Sequence, residues 1–135
     1  MMAAHLVRYG VALAVLVIGD ALWLGWFGQA VVKPALGPTM RESLLWTPVI
    51  LFYVLFAVGV VVFAVDPALR SKSLAMAAGL GLLFGFMAYM TYDMTNMATL
   101  KAWTVKLLAM DIAWGSFVTG LAALVSAWVS RAVFP

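Results

Sequence analysis

The chain alternates four long apolar stretches with short polar ones. The apolar runs cover about Leu6–Phe27, Leu44–Val65, Leu74–Ala98 and Val105–Ser130, and the helices built on them are expected over about 6–27, 40–65, 74–99 and 104–130. Crossing a hydrocarbon core about 30 Å thick takes roughly 20 residues of helix, so each run predicts one transmembrane helix. The expected fold is all-α: a four-helix transmembrane bundle with both termini on the same side, forming one integral membrane domain over residues 1–135. Arg8 gives the first run the look of a secretory leader. The run nevertheless continues through Trp23, Trp26 and Phe27 with no small-residue cleavage site, which predicts a retained helix.

The connections carry their own signals. Gly28–Ser43, with Pro34, Gly37 and Pro38, reads as an apolar loop that lies in the interface or roofs a site. Thr39-Met40-Arg41-Glu42 has the pattern of a capping box, in which a hydroxyl accepts from an orphan backbone N–H and a carboxylate reaches back. It predicts that the second helix begins there, with Pro48 early in it, where a kink is tolerable. Asp66-Pro67 is a helix-start pair between spans two and three. Ala77, Gly81 and Gly85 recur every four residues, a spacing that lets helices approach closely. The stripe serves packing within the chain or contact in a homodimer.

Composition supports embedding and removes several function classes. The hydrophobic fraction is 67% and the charged fraction 10%, against roughly 45–50% and about 25% in soluble domains. The net charge of +3 comes without a Lys/Arg cluster, which argues against nucleic acid as a partner. With no cysteine, thiol catalysis and zinc–thiolate sites are excluded. No nucleotide-binding loop or HExxH motif is present, and the sole histidine, His5, lies outside the apolar core, so haem ligation by histidine and a Ser–His–Asp site are excluded. Arg8, Arg70, Lys72 and Arg131 fall on the terminal side, and Lys33, Arg41, Lys101 and Lys106 on the other. That tie leaves orientation unset by loop charge. The N-terminal amine and His5 tip the terminal side toward the cytoplasm, and the tie also admits an antiparallel dimer.

Candidate chemistry sits in the spans. Glu42 and Asp66 lie in connections, whereas Asp20, Asp93 and Asp111 are inside apolar runs. Each is six or seven residues from the run boundary opposite the termini, roughly 10 Å deep at 1.5 Å per residue. Three helices therefore bring a carboxylate to one layer. Residues three, four and seven apart share a helix face, so Asp20 sits with Trp23 and Leu24, Asp93 with Tyr89 and Asn96, and Asp111 with Trp114 and Gly115. Tyr53 enters the same layer from the second helix. An aspartate in a membrane helix costs on the order of 2.5–3.5 kcal/mol at the bilayer centre, and three such costs need compensation. The expected roles are Asp93 and Asp111 as a proton-handling, catalytic pair, with Asp20, Trp23, Tyr53, Tyr89, Tyr92, Thr95, Asn96 and Trp114 binding a ligand. Lys101 would hold an anionic head group. A hard divalent cation on the carboxylates and Asn96 is a further option, and the bland alternative is a polar network gluing the helices together.

The strings GDALWLG (Gly19–Gly25), LFYVLFAVGVVVFAVDPAL (Leu51–Leu69), TYDMTNMATLKAW (Thr91–Trp103) and DIAWGSF (Asp111–Phe117) resemble a family of small bacterial membrane proteins, domain of unknown function 2177. The resemblance covers essentially the whole chain. It implies a multi-pass protein of the bacterial inner membrane with four helices and no assigned activity. Three functions stay open at this point. The first is a pocket for a small or lipid-like molecule, with membrane lipids as partners. The second is a proton- or cation-coupled transporter acting as a dimer, and the third an accessory subunit of a larger membrane complex.

Overall fold

A computed structural model describes residues 1–135 and consists of helices and short connections, with no strand. Four helices are long and apolar enough to cross a membrane: α1 (Met2–Thr39), α2 (Trp46–Arg70), α3 (Leu74–Thr99) and α4 (Val105–Val133). The protein is an all-helical, multi-pass membrane protein. Side-chain hydroxyls start the last two helices. Ser73 accepts from the Met76 N–H and Thr104 from the Leu107 N–H, both at 3.1 Å, which satisfies donors that a helix start otherwise leaves orphaned.

The tightest seam joins α3 to α4. A Cβ at Gly81 would come within 2.7 Å of the Ala123 Cβ and 2.9 Å of the Gly120 Cα, and one at Gly85 within 2.5 Å of the Gly115 carbonyl oxygen. Ala77, Gly81 and Gly85 are all buried in this seam. The stripe therefore serves packing within the chain.

Most of the apolar core lies toward the chain ends. Ala12 and Leu16 of α1 pack there with Phe56, Val60 and Ala64 of α2, and with Val118 and Ala122 of α4. The first part of α2, Trp46–Leu55, contains no buried residue. It is held to α1 rather than to α3: the Tyr9 hydroxyl donates to the Val54 carbonyl at 3.2 Å, and Tyr53 reaches Asp20. A gap between upper α2 and α3 results.

Three connections differ from expectation. Most of the expected Gly28–Ser43 loop is helical, because α1 continues through a π-turn at Gly28–Val32, an α-turn at Lys33–Leu36 and a 3₁₀ turn at Gly37–Thr39, and only residues 40–45 form the connection. Pro34 and Pro38 each fall in the first turn of a new helical piece, where a missing N–H costs little. The π-turn absorbs the change of register. The capping box does not form either: the Thr39 hydroxyl donates to the Leu36 carbonyl at 2.8 Å, and α2 begins at Trp46. Nor does Asp66 start a helix. A π-turn at Val61–Val65 carries α2 straight through it, leaving its carboxylate free for a partner on α1.

Candidate functional site

Asp20 is 6% exposed and uses both carboxylate oxygens. The Tyr53 hydroxyl donates to Oδ2 at 2.6 Å, and the Trp114 indole Nε1–H donates to Oδ1 at 2.8 Å. A hydrogen bond is worth roughly 0.5–1.5 kcal/mol net, so the two donors together answer part of the cost of placing the acid in lipid. The approach depends on Gly19, where a Cβ would meet the Val118 Cγ2 at 2.8 Å. One turn further, the Trp23 ring stacks on Trp114 (centroids 4.7 Å, 5° between planes) and on Phe27 (4.8 Å, 20°). This ladder locks α1 to α4, while Tyr53 tethers α2.

Beside this anchor lies a cavity of about 390 Å³. Asp20, Trp23 and Leu24 line it from α1, Phe52 and Tyr53 from α2, Ala88, Tyr89 and Tyr92 from α3, and Asp111 and Trp114 from α4. Six of these ten side chains are aromatic. Leu24, Phe52 and Tyr92 are exposed, so the cavity opens sideways through the gap between upper α2 and α3. Gly115 shapes its floor: a Cβ there would coincide with the Tyr89 ring, which can lie flat against α4 only because the position has no side chain.

Asp93 lies behind the Asp111 wall. Its exposure is 0%, and neither carboxylate oxygen has a hydrogen-bond partner. Asp111 and the Trp103 indole lie beside it, and the Trp103 Nε1 is likewise buried without a partner. Native structures pair nearly all buried polar groups, so this arrangement marks Asp93 as a place where stability is given up. No cation compensates. Both ion pairs in the chain engage Asp66, and every Lys and Arg other than Arg8 is exposed. The aspartates do not close into a group that could hold a metal ion. They form an Asp93–Asp111 neighbourhood, with Asp20 held separately by its two donors.

The expected site residues divide accordingly. Asp20, Trp23, Tyr53, Tyr89, Tyr92, Asp111 and Trp114 line one cavity. Asp93 is adjacent but walled off. Thr95, Asn96 and Lys101 are not in the lining. The Thr95 hydroxyl turns back to the Thr91 and Tyr92 carbonyls at 2.6 and 3.0 Å, Asn96 is a turn beyond the cavity, and Lys101 is exposed in the α3–α4 turn. The helical extension of α1 does not roof the cavity. Its Val31 joins Phe27, Trp103 and Leu107 in a separate small core. Leu24, Phe52 and Ala88 were not among the expected site residues, although Leu24 shares a face with Asp20, Phe52 neighbours Tyr53 and Ala88 lies one turn before Tyr92.

A second polar cluster closes the opposite end. Arg8 Nη1 donates to Asp66 Oδ1 and Arg8 Nε to the Ser130 hydroxyl, both at 3.0 Å, and the Ser126 hydroxyl donates to the Arg8 carbonyl at 2.8 Å. His5, which remains exposed, places its Nε2 3.9 Å from Asp66. The signal for this cluster was present, since Arg8 and Asp66 are opposite charges on the same side of the bundle.

Helix number, helix length and apolar surface together define an all-helical integral membrane protein. The chain belongs to the family DUF2177, described as a predicted membrane protein, whose family model matches residues 5–128. No curated protein and no solved structure matches it.

Proposed function

We propose that the protein binds a small or lipid-like molecule within the membrane, admitting it sideways between α2 and α3. One observation carries this reading: the cavity of about 390 Å³ has exposed apolar side chains at its mouth and a doubly hydrogen-bonded carboxylate, Asp20, in its wall. Ligand sites have this composition, mostly apolar and aromatic with a few placed polar groups. A lateral mouth suits a molecule that partitions into lipid first. Asp93 and Asp111 act on this reading as a proton-handling pair, because two adjacent carboxylates in low dielectric repel unless a proton or a cation lies between them. Lys101 takes no part, so the anionic head group it was expected to hold has no counterpart in the cavity. The same reading places the protein in a bacterial inner membrane, since helical spans rather than a closed β-barrel provide its route across lipid.

The test is saturable binding of a panel of membrane-soluble small molecules and lipids to purified protein, compared with Tyr53→Phe and Trp114→Phe. Binding weakened by either substitution supports the cavity. Equal binding by all three proteins throughout the panel removes it and leaves the aspartates as structural glue. Proton-driven flux in vesicles, in place of simple binding, would favour the transporter reading.

A further inference from the structure

We infer that the molecule taken by this cavity is an organic cation, one whose ammonium group enters between the aromatic walls and faces Asp111. The inference rests on the binding reading above and adds the charge of the occupant. Charge accounting inside the chain is its first support. Asp20, Asp93 and Asp111 lie within the spans, and neither ion pair of the molecule involves any of them. Buried charges in proteins are ordinarily paired. Asp20 is compensated by Tyr53 and Trp114. Asp111 lines the cavity and has no such donors from Tyr or Trp.

The second support is the wall. Trp114, Phe52, Tyr53, Tyr89 and Tyr92 surround the space that Asp111 borders. Aromatic faces attract ammonium groups through the ring quadrupole, and such cages recognise quaternary ammonium ligands. The walls contain no Lys or Arg to pair with an anion, which would instead face the Asp20 and Asp111 carboxylates. A neutral apolar molecule would fill the volume and leave Asp111 with only a proton shared with Asp93 for compensation.

An ammonium group has two sources: the headgroup of a membrane lipid, or a free amine dissolved in the bilayer. The experiment uses phenethyltrimethylammonium, its uncharged carbon isostere (3,3-dimethylbutyl)benzene, and 3-phenylpropane-1-sulfonate, each against full-length protein in nanodiscs. The saturable component of binding is read by equilibrium dialysis. The expected result is that the cation binds at least tenfold more tightly than either of the others. That preference is expected to disappear in Asp111→Asn and persist in Asp111→Glu. If Asp111→Asn fails to fold, the comparison of the three probes on the unaltered protein decides alone. Isostere or sulfonate binding as tightly as the cation overturns the charge inference while leaving the cavity a binding site. Saturable binding by none of the three overturns both. Nanodiscs of phosphatidylethanolamine and of glycosyl diacylglycerol separate the sources. Weaker cation binding in the first identifies a lipid headgroup as competitor, and equal binding identifies a free amine; both support the ammonium group.

Discussion

At the end of the bundle where the chain starts and finishes, Asp66 accepts from Arg8 at 3.0 Å, and Ser126 and Ser130 complete the contacts of that arginine. At the other end, three carboxylates share a layer without a single cation, and one of them has no hydrogen bond at all. Apolar packing differs in the same sense. The core of Ala, Val and Leu side chains fills the first end, whereas upper α2 stands away from α3 at the second. One end is built to stay shut. The other holds acids and open space that stability alone does not require, as functional regions commonly do.

Substitutions can break or sharpen this contrast. The largest effect is expected at the seam both ends share. Overpacking costs about 1–3 kcal/mol where side chains can yield. At Gly85 the obstacle is the Gly115 carbonyl, so Gly85→Leu is expected to abolish a monodisperse folded species in size-exclusion chromatography. Next is Arg8→Met, which strands the partly buried Asp66 and should cost about 2–3 kcal/mol by thermal unfolding in detergent. Adding Asp66→Leu should recover most of that loss, and an unshifted Arg8→Met melt would erase the closed end from the comparison.

Asp93→Leu should move the other way, gaining about 1–2 kcal/mol by removing an unpaired buried acid. A clear loss of stability instead would make Asp93 structural and dissolve the contrast. The smallest effect is expected for Tyr53→Phe, which removes one of the two donors to Asp20 and should cost about 1 kcal/mol. It should also weaken ligand binding several-fold, because the tether that sets the distance between α2 and the cavity wall is gone.

Much of this was legible from residue order, and the reasons are local. Four apolar runs of spanning length leave little choice but four membrane helices. Asp20, Tyr53 and Trp114 are brought within reach of each other by depth alone, since each lies a similar distance into its helix. What could not be read locally depends on tertiary partners. Thr39 has an equally good acceptor behind it at Leu36, and only the continuation of α1 decides between bonding backward and capping forward. Prolines read as breakers, yet Pro34 and Pro38 fit because π and 3₁₀ turns reset the helix around them. Thr95 and Lys101 share the polar stretch with Asp93 but leave the helix at other angles and heights, so nearness in sequence overstated their part. The Arg8–Asp66 pair spans 58 positions and shows only when opposite charges on one side are matched.

The unequal lengths of the helices carry a consequence for the host bilayer. The first has 38 residues against 25, 26 and 29 for the others; at 1.5 Å per residue it is about 57 Å long, nearly twice a typical hydrocarbon thickness. It overshoots its neighbours on one flank, where its tip grips the tryptophan beside the unpaired acid. Lipids of short and long acyl chain are therefore not equivalent surroundings, and unfolding in vesicles of graded chain length should trace an optimum rather than a plateau.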